Sequence, residues 1–357
     1  MLKKVSRLLL LTPLLFCSCK SNKNSNEEDA TYDESGKVII HTKVQQAYLK
    51  DSFENVNLYA RGVEELSRPI SPTFKWDGGN NKHTVYLSEK EDYSDPEIYE
   101  VNKSEVSFVN LKINTTYYYK AVSSNIIVHE ESFTTSDELI RNIYISGVTN
   151  ARDLGGYKVG ESVTKQGLIY RTGRISPNGG GSDTKTITEK GIKTMLEGLK
   201  VKSEIDLRGV ENNEVNGLAE PTGVLGETVR YYQCPMDYTN LQAEINTVAI
   251  RKIFSILGDR ENYPTFFHCS IGTDRTGYVA WLINSYLGVS EENLYRDYLF
   301  SNFGKIGSAR STSNILDKYV SWINNQEGGS LSEKAKNYLL NLGVNQEDLN
   351  VLKEMMI

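Results

Sequence analysis

One stretch constrains this chain more than any other: Pro264-Thr265-Phe266-Phe267-His268-Cys269-Ser270-Ile271-Gly272-Thr273-Asp274-Arg275-Thr276-Gly277. Thr265 to Phe267 is short and apolar, the pattern of a buried strand. Beyond Gly277, the residues Val279, Leu282, Ile283, Tyr286 and Leu287 recur at helical spacing, and Gly288 supplies a left-handed cap. A strand, a tight loop and a helix therefore follow one another. Successive loop N–H groups can turn inward toward an anion, and the helix N-terminus adds a fixed partial positive charge.

The loop residues give this cradle a chemistry. Gly272 allows the curl that brings the amides together, and Arg275 offers a planar fork matched to two phosphate oxygens. The same field acts on Cys269. A free thiol has a pKa of ~8.5, whereas thiols at helix N-termini beside cations fall to roughly 3.5 to 7.5. Cys269 is thus the candidate nucleophile, attacking phosphorus to form a cysteinyl-phosphate that water hydrolyses. Thr276 is placed to hydrogen-bond the sulfur as it leaves, and Ser270, Ile271, Gly272, Thr273, Asp274 and Arg275 are the candidate substrate-binding residues. His268 is expected to support the loop backbone, and the scheme calls for no metal or cofactor. Cysteine and arginine at this spacing occur by chance in many chains. The histidine before, the mid-loop glycine, the Arg-Thr-Gly after and the flanking strand and helix make the pattern specific.

The segment HCSIGTDRTG resembles the active-site loop of the tyrosine phosphatase superfamily. Thr149-Asn150-Ala151-Arg152-Asp153-Leu154-Gly155-Gly156-Tyr157, Tyr170 to Ser176 (YRTGRIS), Glu204 to Arg208 (EIDLR) and Arg296 to Asn302 (RDYLFSN) are similar to the signatures of bacterial secreted tyrosine and lipid phosphatases, the mycobacterial phosphatase B type. The resemblance implies an α/β domain over residues 138–357, with a small central sheet flanked by helices. It implies that Asp274 is the general acid, with Asp237 in Cys234-Pro235-Met236-Asp237 the second candidate and Asp206 structural. Phosphoinositide-active members carry lysine where this chain has Thr273, which turns the reading from polyanionic lipid headgroups toward phosphotyrosine. Arg152, Arg171 and Arg208 are candidates for a second phosphate contact or for salt bridges.

The length, 357 residues, suits two domains. Lys3, Lys4 and Arg7, the apolar run Leu8 to Phe16 and Ser18-Cys19 have the parts and order of an export signal over residues 1–19. Its end resembles a bacterial lipobox, which implies lipidation of Cys19 and attachment to a membrane, periplasmic or at the cell surface. Residues 20–36 are polar and read as a flexible linker. Residues 37–136 alternate with period two between turn residues and read as an all-β sandwich preceding the phosphatase domain, with strands at Val38–Val44, Asn57–Ala60, Thr73–Trp76, His83–Ser88, Val106–Val109, Thr116–Val122 and Ile126–Thr134. Leu111 to Val122 resembles the corner and F strand of a fibronectin type III domain, with Tyr117 as the corner tyrosine.

This module is expected to be a spacer or a surface for protein or glycan contact. Helices are expected at 188–199, 241–257, 290–302, 312–325, 330–342 and 345–356. Asn178 to Ser182 reads as a mobile loop near the entrance. Cys234 reads as a buried bystander, or as a disulfide partner of Cys269. A net charge of -6 offers no footprint for nucleic acid. The partner expected is a phosphotyrosine peptide or small phosphomonoester. An inositol phosphate or phosphoinositide is the alternative substrate, and binding of a phosphorylated ligand at the surface is the alternative of another class.

Overall fold

The structure, a computed structural model, describes residues 26–79, 81–176, 187–209 and 223–357. The export signal, Cys19 and the loop Asn178 to Ser182 lie outside them. Described chain begins as a strand, β1 (Asn26–Asp29), which pairs in parallel with β2 (Ile70–Lys75). The linker expected over 20–36 is corrected from Asn26 onward. Its acidic side chains Glu27, Glu28 and Asp29 stay exposed while the backbone pairs, and an edge strand asks nothing more of its side chains.

The strands β3 (His83–Ser88), β4 (Glu97–Val101), β5 (Glu105–Ser107), β6 (Thr116–Ser123) and β7 (Ile126–Thr134) complete two sheets, ordered β1-β2-β5 and β4-β3-β6-β7. Phe74 joins them, its ring 4.5 Å from that of Phe133 and 5.3 Å from that of Tyr119. The Tyr117 hydroxyl accepts the backbone N–H of Lys112 at 2.9 Å, tying the strand back to the preceding turn. Strand β4 escaped the sequence pattern because its residues Glu97 and Glu100 and its exposed Ile98 hide any alternation.

Two expected strands, Val38–Val44 and Asn57–Ala60, do not form, and the chain between them is helical. Val38 forms only isolated bridges, to Tyr32 and Thr135, and α1 starts at Lys43 (Lys43–Leu49), followed by a 3₁₀ turn, Phe53–Leu58. The cause is local: Thr42 Oγ1 accepts the N–H of Gln45 at 3.3 Å and Gln45 Oε1 accepts that of Thr42 at 3.0 Å, a capping box that starts a helix. The segment leaves the β module altogether. Tyr48, Val56 and Ala60 belong to the apolar core of the C-terminal half, where Tyr48 packs against Phe303 with ring centroids 5.5 Å apart.

That half contains β8 (Arg152–Asp153), a small hairpin of β9 (Lys158–Val159) and β10 (Ser162–Val163), β11 (Ile169–Thr172), α2 (Glu189–Lys193), β12 (Ser203–Asp206), β13 (Arg230–Gln233), α3 (Glu244–Leu257), β14 (Thr265–His268), α4 (Asp274–Leu287) and α5 (Glu291–Leu299). Two short helical pieces follow, α6 (Ser313–Ile315) and α7 (Ser321–Asn324), and then the longer α8 (Leu331–Asn341) and α9 (Gln346–Met356). The sheet order is β13-β12-β14-β11-β8, parallel except for β8. β14 lies at its centre with all four residues buried. Alternation then sends Phe267 into the core shared with α3, α4, α8 and α9, and Phe266 into a second core with Ile143, Tyr170 and Met195.

The C-terminal helices follow the expected order, with α8 opened by the capping box of Ser330 and Glu333 and α4 closed by Gly288 at φ 95°. The helix expected over 312–325 is broken at Lys318, whose φ −112° and ψ −127° are not helical.

Because Tyr48 fills the core of the catalytic half, Tyr48→Ala is expected to destabilise that half by about 3–5 kcal/mol, the cost of emptying a large buried aromatic site. Urea unfolding followed by tryptophan fluorescence measures it; an unchanged transition would mean that α1 is a detachable appendage.

Candidate active site

The parallel strands deliver Cys269 to the carboxyl edge of the sheet, where α/β folds place their ligands. The loop then turns sharply through Gly272, at φ 70°. A β-carbon there would lie 2.5 Å from the carbonyl oxygen of Thr172, so glycine is required for space as well as for conformation. The loop carbonyls are tied outward. Asn150 Nδ2 donates to Ile271 O at 3.1 Å and to Gly272 O at 2.9 Å, Arg171 Nη2 donates to Gly272 O at 2.9 Å, and the N–H of Arg174 reaches Ser270 O at 3.4 Å. With the carbonyls turned out, the amide N–H groups face the opposite way, toward the sulfur. The N-cap residue of α4, Thr273, makes no side-chain cap bond, so the positive end of the helix faces the loop uncapped by its own side chain.

Asp297 on α5 anchors the outer braces. Its carboxylate takes Arg152 Nε at 2.7 Å and, on the other oxygen, Arg171. Arg152 also donates to the Asp297 carbonyl at 2.7 Å and to the side-chain oxygen of Asn150. All four side chains are buried. Burial alone would raise the Asp297 pKa, but the two guanidiniums hold it below the usual carboxylate range. Burial and the nearby Arg171 push Arg152 down to about 10. Of the two roles expected for Arg152 and Arg171, the salt bridge is the one observed. Arg208 is spoken for as well, gripping Asp206 at 2.6 Å and reaching Ser176 Oγ at 2.7 Å.

His268 lies behind the loop, fully buried, with Nε2 3.0 Å from Glu204 Oε1 and Nδ1 3.4 Å from the Cys269 carbonyl. Burial lowers its pKa, but Asp206 and Glu204 outweigh that and raise it. Glu204, Asp206 and His268 bring ligand-type atoms within 4.8 Å of one another. A metal fits this group poorly, because Arg208 already occupies both oxygens of Asp206.

Cys269 itself is buried. Burial pushes the thiol up, yet the Arg275 guanidinium, the Thr276 hydroxyl and the N–H groups of Thr276 and Ile271 bring it below its ordinary value. The Thr276 oxygen is buried with no competing hydrogen-bond partner among the described residues. Arg275 is aimed by the strand ends beside it: Nη1 donates to the carbonyls of Leu207 and Met236, both at 3.3 Å, and Nη2 lies 3.5 Å from Ser270 Oγ. Cys234 differs in its electrostatic surroundings. It is buried, burial outweighs the pull of Lys252 and pushes its thiol up to about 12, and the two cysteines are not bonded to each other.

The candidate acids occupy different settings. Asp274 opens α4 and is held by Arg310, Nε to Oδ1 at 3.2 Å and Nη2 to Oδ2 at 3.1 Å. Asp237 accepts the hydroxyl and N–H of Thr239, both at 2.7 Å, and the N–H of Asn240 at 3.1 Å; these bonds, led by the Thr239 hydroxyl, lower its pKa. Thr273 is buried and bonded to Asn150 Nδ2 at 3.3 Å. Two residues went unread in the sequence. Tyr238, about half exposed, lays its ring 5.3 Å from the Arg275 guanidinium carbon; its place next to Asp237 was the available signal. Arg310 sits in a loop with no motif, and nothing in the sequence announces it.

The lowered thiol gives a direct test. Inactivation by iodoacetamide is expected to follow a single ionisation below the ~8.5 of a free thiol, and to move upward in Arg275→Ala, which removes the charge that lowers it. Peptide mapping should place the label on Cys269 and leave Cys234 unmodified. An inflection at or above the free-thiol value would contradict the electrostatics described.

Known proteins resemble this chain over its C-terminal half. Residues 143–357 match the model of the tyrosine phosphatase family. A Cupriavidus necator protein, provisionally named as a tyrosine-protein phosphatase, is 25% identical over 202 residues, covering 51% of this chain and 70% of its own. Among solved structures, Pseudomonas aeruginosa TpbA in complex with phosphotyrosine is 15% identical, with a TM-score of 0.30, over 50% of this chain and 88% of its own. The core catalytic domain of the Saccharomyces cerevisiae PP-IP phosphatase SIW14 is 19% identical, with a TM-score of 0.28, over 43% of this chain and 82% of its own. The family match spans more than half of the chain and contains the whole loop from Cys269 to Thr276: this chain belongs to the tyrosine phosphatase family.

Proposed function

We propose that the protein is a phosphotyrosine phosphatase that works through a Cys269 phosphoenzyme. The observation that carries this is the loop itself: a thiol of lowered pKa, carbonyls tied away from it, and the Arg275 fork fixed beside it. The thiolate attacks phosphorus, an S–P bond forms and the ester P–O bond breaks, while Arg275 and the loop N–H groups hold the equatorial oxygens. Asp274 gives a proton to the leaving oxygen. In the second step water attacks, its proton passes to the Asp274 carboxylate, the S–P bond breaks, and the Thr276 hydroxyl steadies the departing thiolate. Asp237 is the alternative donor.

Aromatic phosphate suits the surroundings. Tyr238 offers a ring face at the position of Arg275, and Thr273 contributes a hydroxyl already engaged inside the loop where a lysine would add charge for polyanionic lipids. Membership in the mycobacterial phosphatase B type belongs to the same proposal. So does a fibronectin type III-like reading of the N-terminal sheets, supported by their common aromatic core and the tied Tyr117 hydroxyl. Export and lipidation at Cys19 complete the proposal.

Phosphate release from a phosphotyrosine peptide, a phosphoserine peptide, an inositol phosphate and a phosphoinositide, each with chelator present, tests this reading. The phosphotyrosine peptide is expected to give the highest kcat/KM, and Cys269→Ser to abolish turnover of every substrate. A preference for the inositol phosphates would move the assignment to that class, and activity surviving Cys269→Ser would end the mechanism.

A further inference from the structure

The matched family region begins at residue 143, yet a segment well upstream reaches the active site. Gly62 donates its N–H to Asn302 O at 2.7 Å, and its carbonyl accepts the N–H groups of Ile306 at 2.9 Å and Gly307 at 2.7 Å. The N–H of Leu66 donates to Phe303 O at 2.6 Å. Between them, Glu65 accepts the hydroxyl of Thr149, and the same Thr149 oxygen accepts the N–H of Lys305 at 2.9 Å. Residues 62–66 thus clasp the loop 302–307 on both sides.

That loop runs directly into Arg310. Asn302 holds Arg310 at both backbone groups, Oδ1 to its N–H at 2.7 Å and Nδ2 to its carbonyl at 2.8 Å, and the Arg310 side chain holds Asp274 through two bonds. On the other side, Thr149 precedes Asn150, whose amide ties down the carbonyls of Ile271 and Gly272. The clasp leaves no slack. Gly62 has φ 75°, and a β-carbon on it would fall 2.7 Å from both Ile306 Cγ1 and the Ser308 carbonyl.

We propose that residues Gly62 to Leu66 are a positioning element of the active site, setting Arg310 and through it the carboxyl group of Asp274. The N-terminal region is then part of the catalytic apparatus and more than a spacer. This inference rests on Asp274 as the proton donor, and its test separates the two ideas. A misplaced acid harms a poor leaving group more than a good one, because p-nitrophenolate departs readily without a proton and phenolate does not.

The measurement is kcat on phenyl phosphate and on p-nitrophenyl phosphate for the full chain and for Asp274→Asn, Gly62→Ala, Glu65→Ala, Glu65→Gln and Arg310→Lys, each checked for native circular dichroism. Asp274→Asn is expected to lose about 10²-fold more on phenyl than on p-nitrophenyl phosphate. Gly62→Ala, Glu65→Ala and Arg310→Lys should show the same selective loss, roughly tenfold or more, with KM little changed, while Glu65→Gln, left with one acceptor oxygen for Thr149 and Ser67 together, should fall between Glu65→Ala and the wild type. A selective loss in Asp274→Asn alone, with wild-type ratios in folded Gly62→Ala and Glu65→Ala, overturns the positioning role and spares the acid. A wild-type ratio in Asp274→Asn overturns the acid assignment, and the positioning role with it.

Discussion

The Asp297 carboxylate, shared between Arg152 and Arg171, is the interaction on which the active site depends. It is fully enclosed, and breaking a buried pair by removing one partner costs roughly 3–5 kcal/mol, since the charge left behind has no compensation. What the triad secures is direction. Arg171 and, through Arg152, Asn150 point their donors at the carbonyls of Ile271 and Gly272. A peptide unit whose carbonyl is held on one side must present its N–H on the other. The inward ring of amides is therefore imposed from outside the loop, by side chains engaged with one another and with the loop carbonyls.

Charge inside the loop follows from that order. Cys269 and Cys234 are both buried, and burial alone would keep both thiols protonated. They part company because Cys269 has a guanidinium, a hydroxyl and backbone donors aimed at it, whereas Cys234 has none of these in its immediate shell. Arg275 can serve this role because the carbonyls of Leu207 and Met236 fix its fork. His268, between Glu204 and Asp206, ties the root of the loop to the strand beside it, where the β12–β14 register sets Asp206 opposite His268.

The sequence disclosed what is local and withheld what is distant. Cys269, Gly272, Arg275 and Thr276 fall within one short run, flanked by a strand and a helix whose periodicities are plain, so the loop and its surroundings were legible. The capping box at Ser330 and the terminating Gly288 were legible for the same reason. The segment Lys43–Leu58 was not: its two ends were read into the strands Val38–Val44 and Asn57–Ala60, and the Thr42–Gln45 cap and the partner surface around Phe303 make it helical. Asn26–Asp29 was hidden because strand pairing at an edge uses backbone alone. Arg152, Arg171 and Asp297 were visible as conspicuous residues, but their mutual roles depend on contacts across more than a hundred positions. Arg310 had no signal at all, since its meaning comes from a loop that folds back on Asp274.

The proposed chemistry passes through a covalent bond to the Cys269 sulfur. Rapid acid quench during turnover of a phosphotyrosine peptide, followed by mass spectrometry of the digested enzyme, reads that bond directly. One added phosphoryl group is expected on the peptide containing Cys269, formed within the first turnover and absent without substrate. Turnover with no phosphoryl group on the enzyme, or with one on any other residue, would contradict that chemistry.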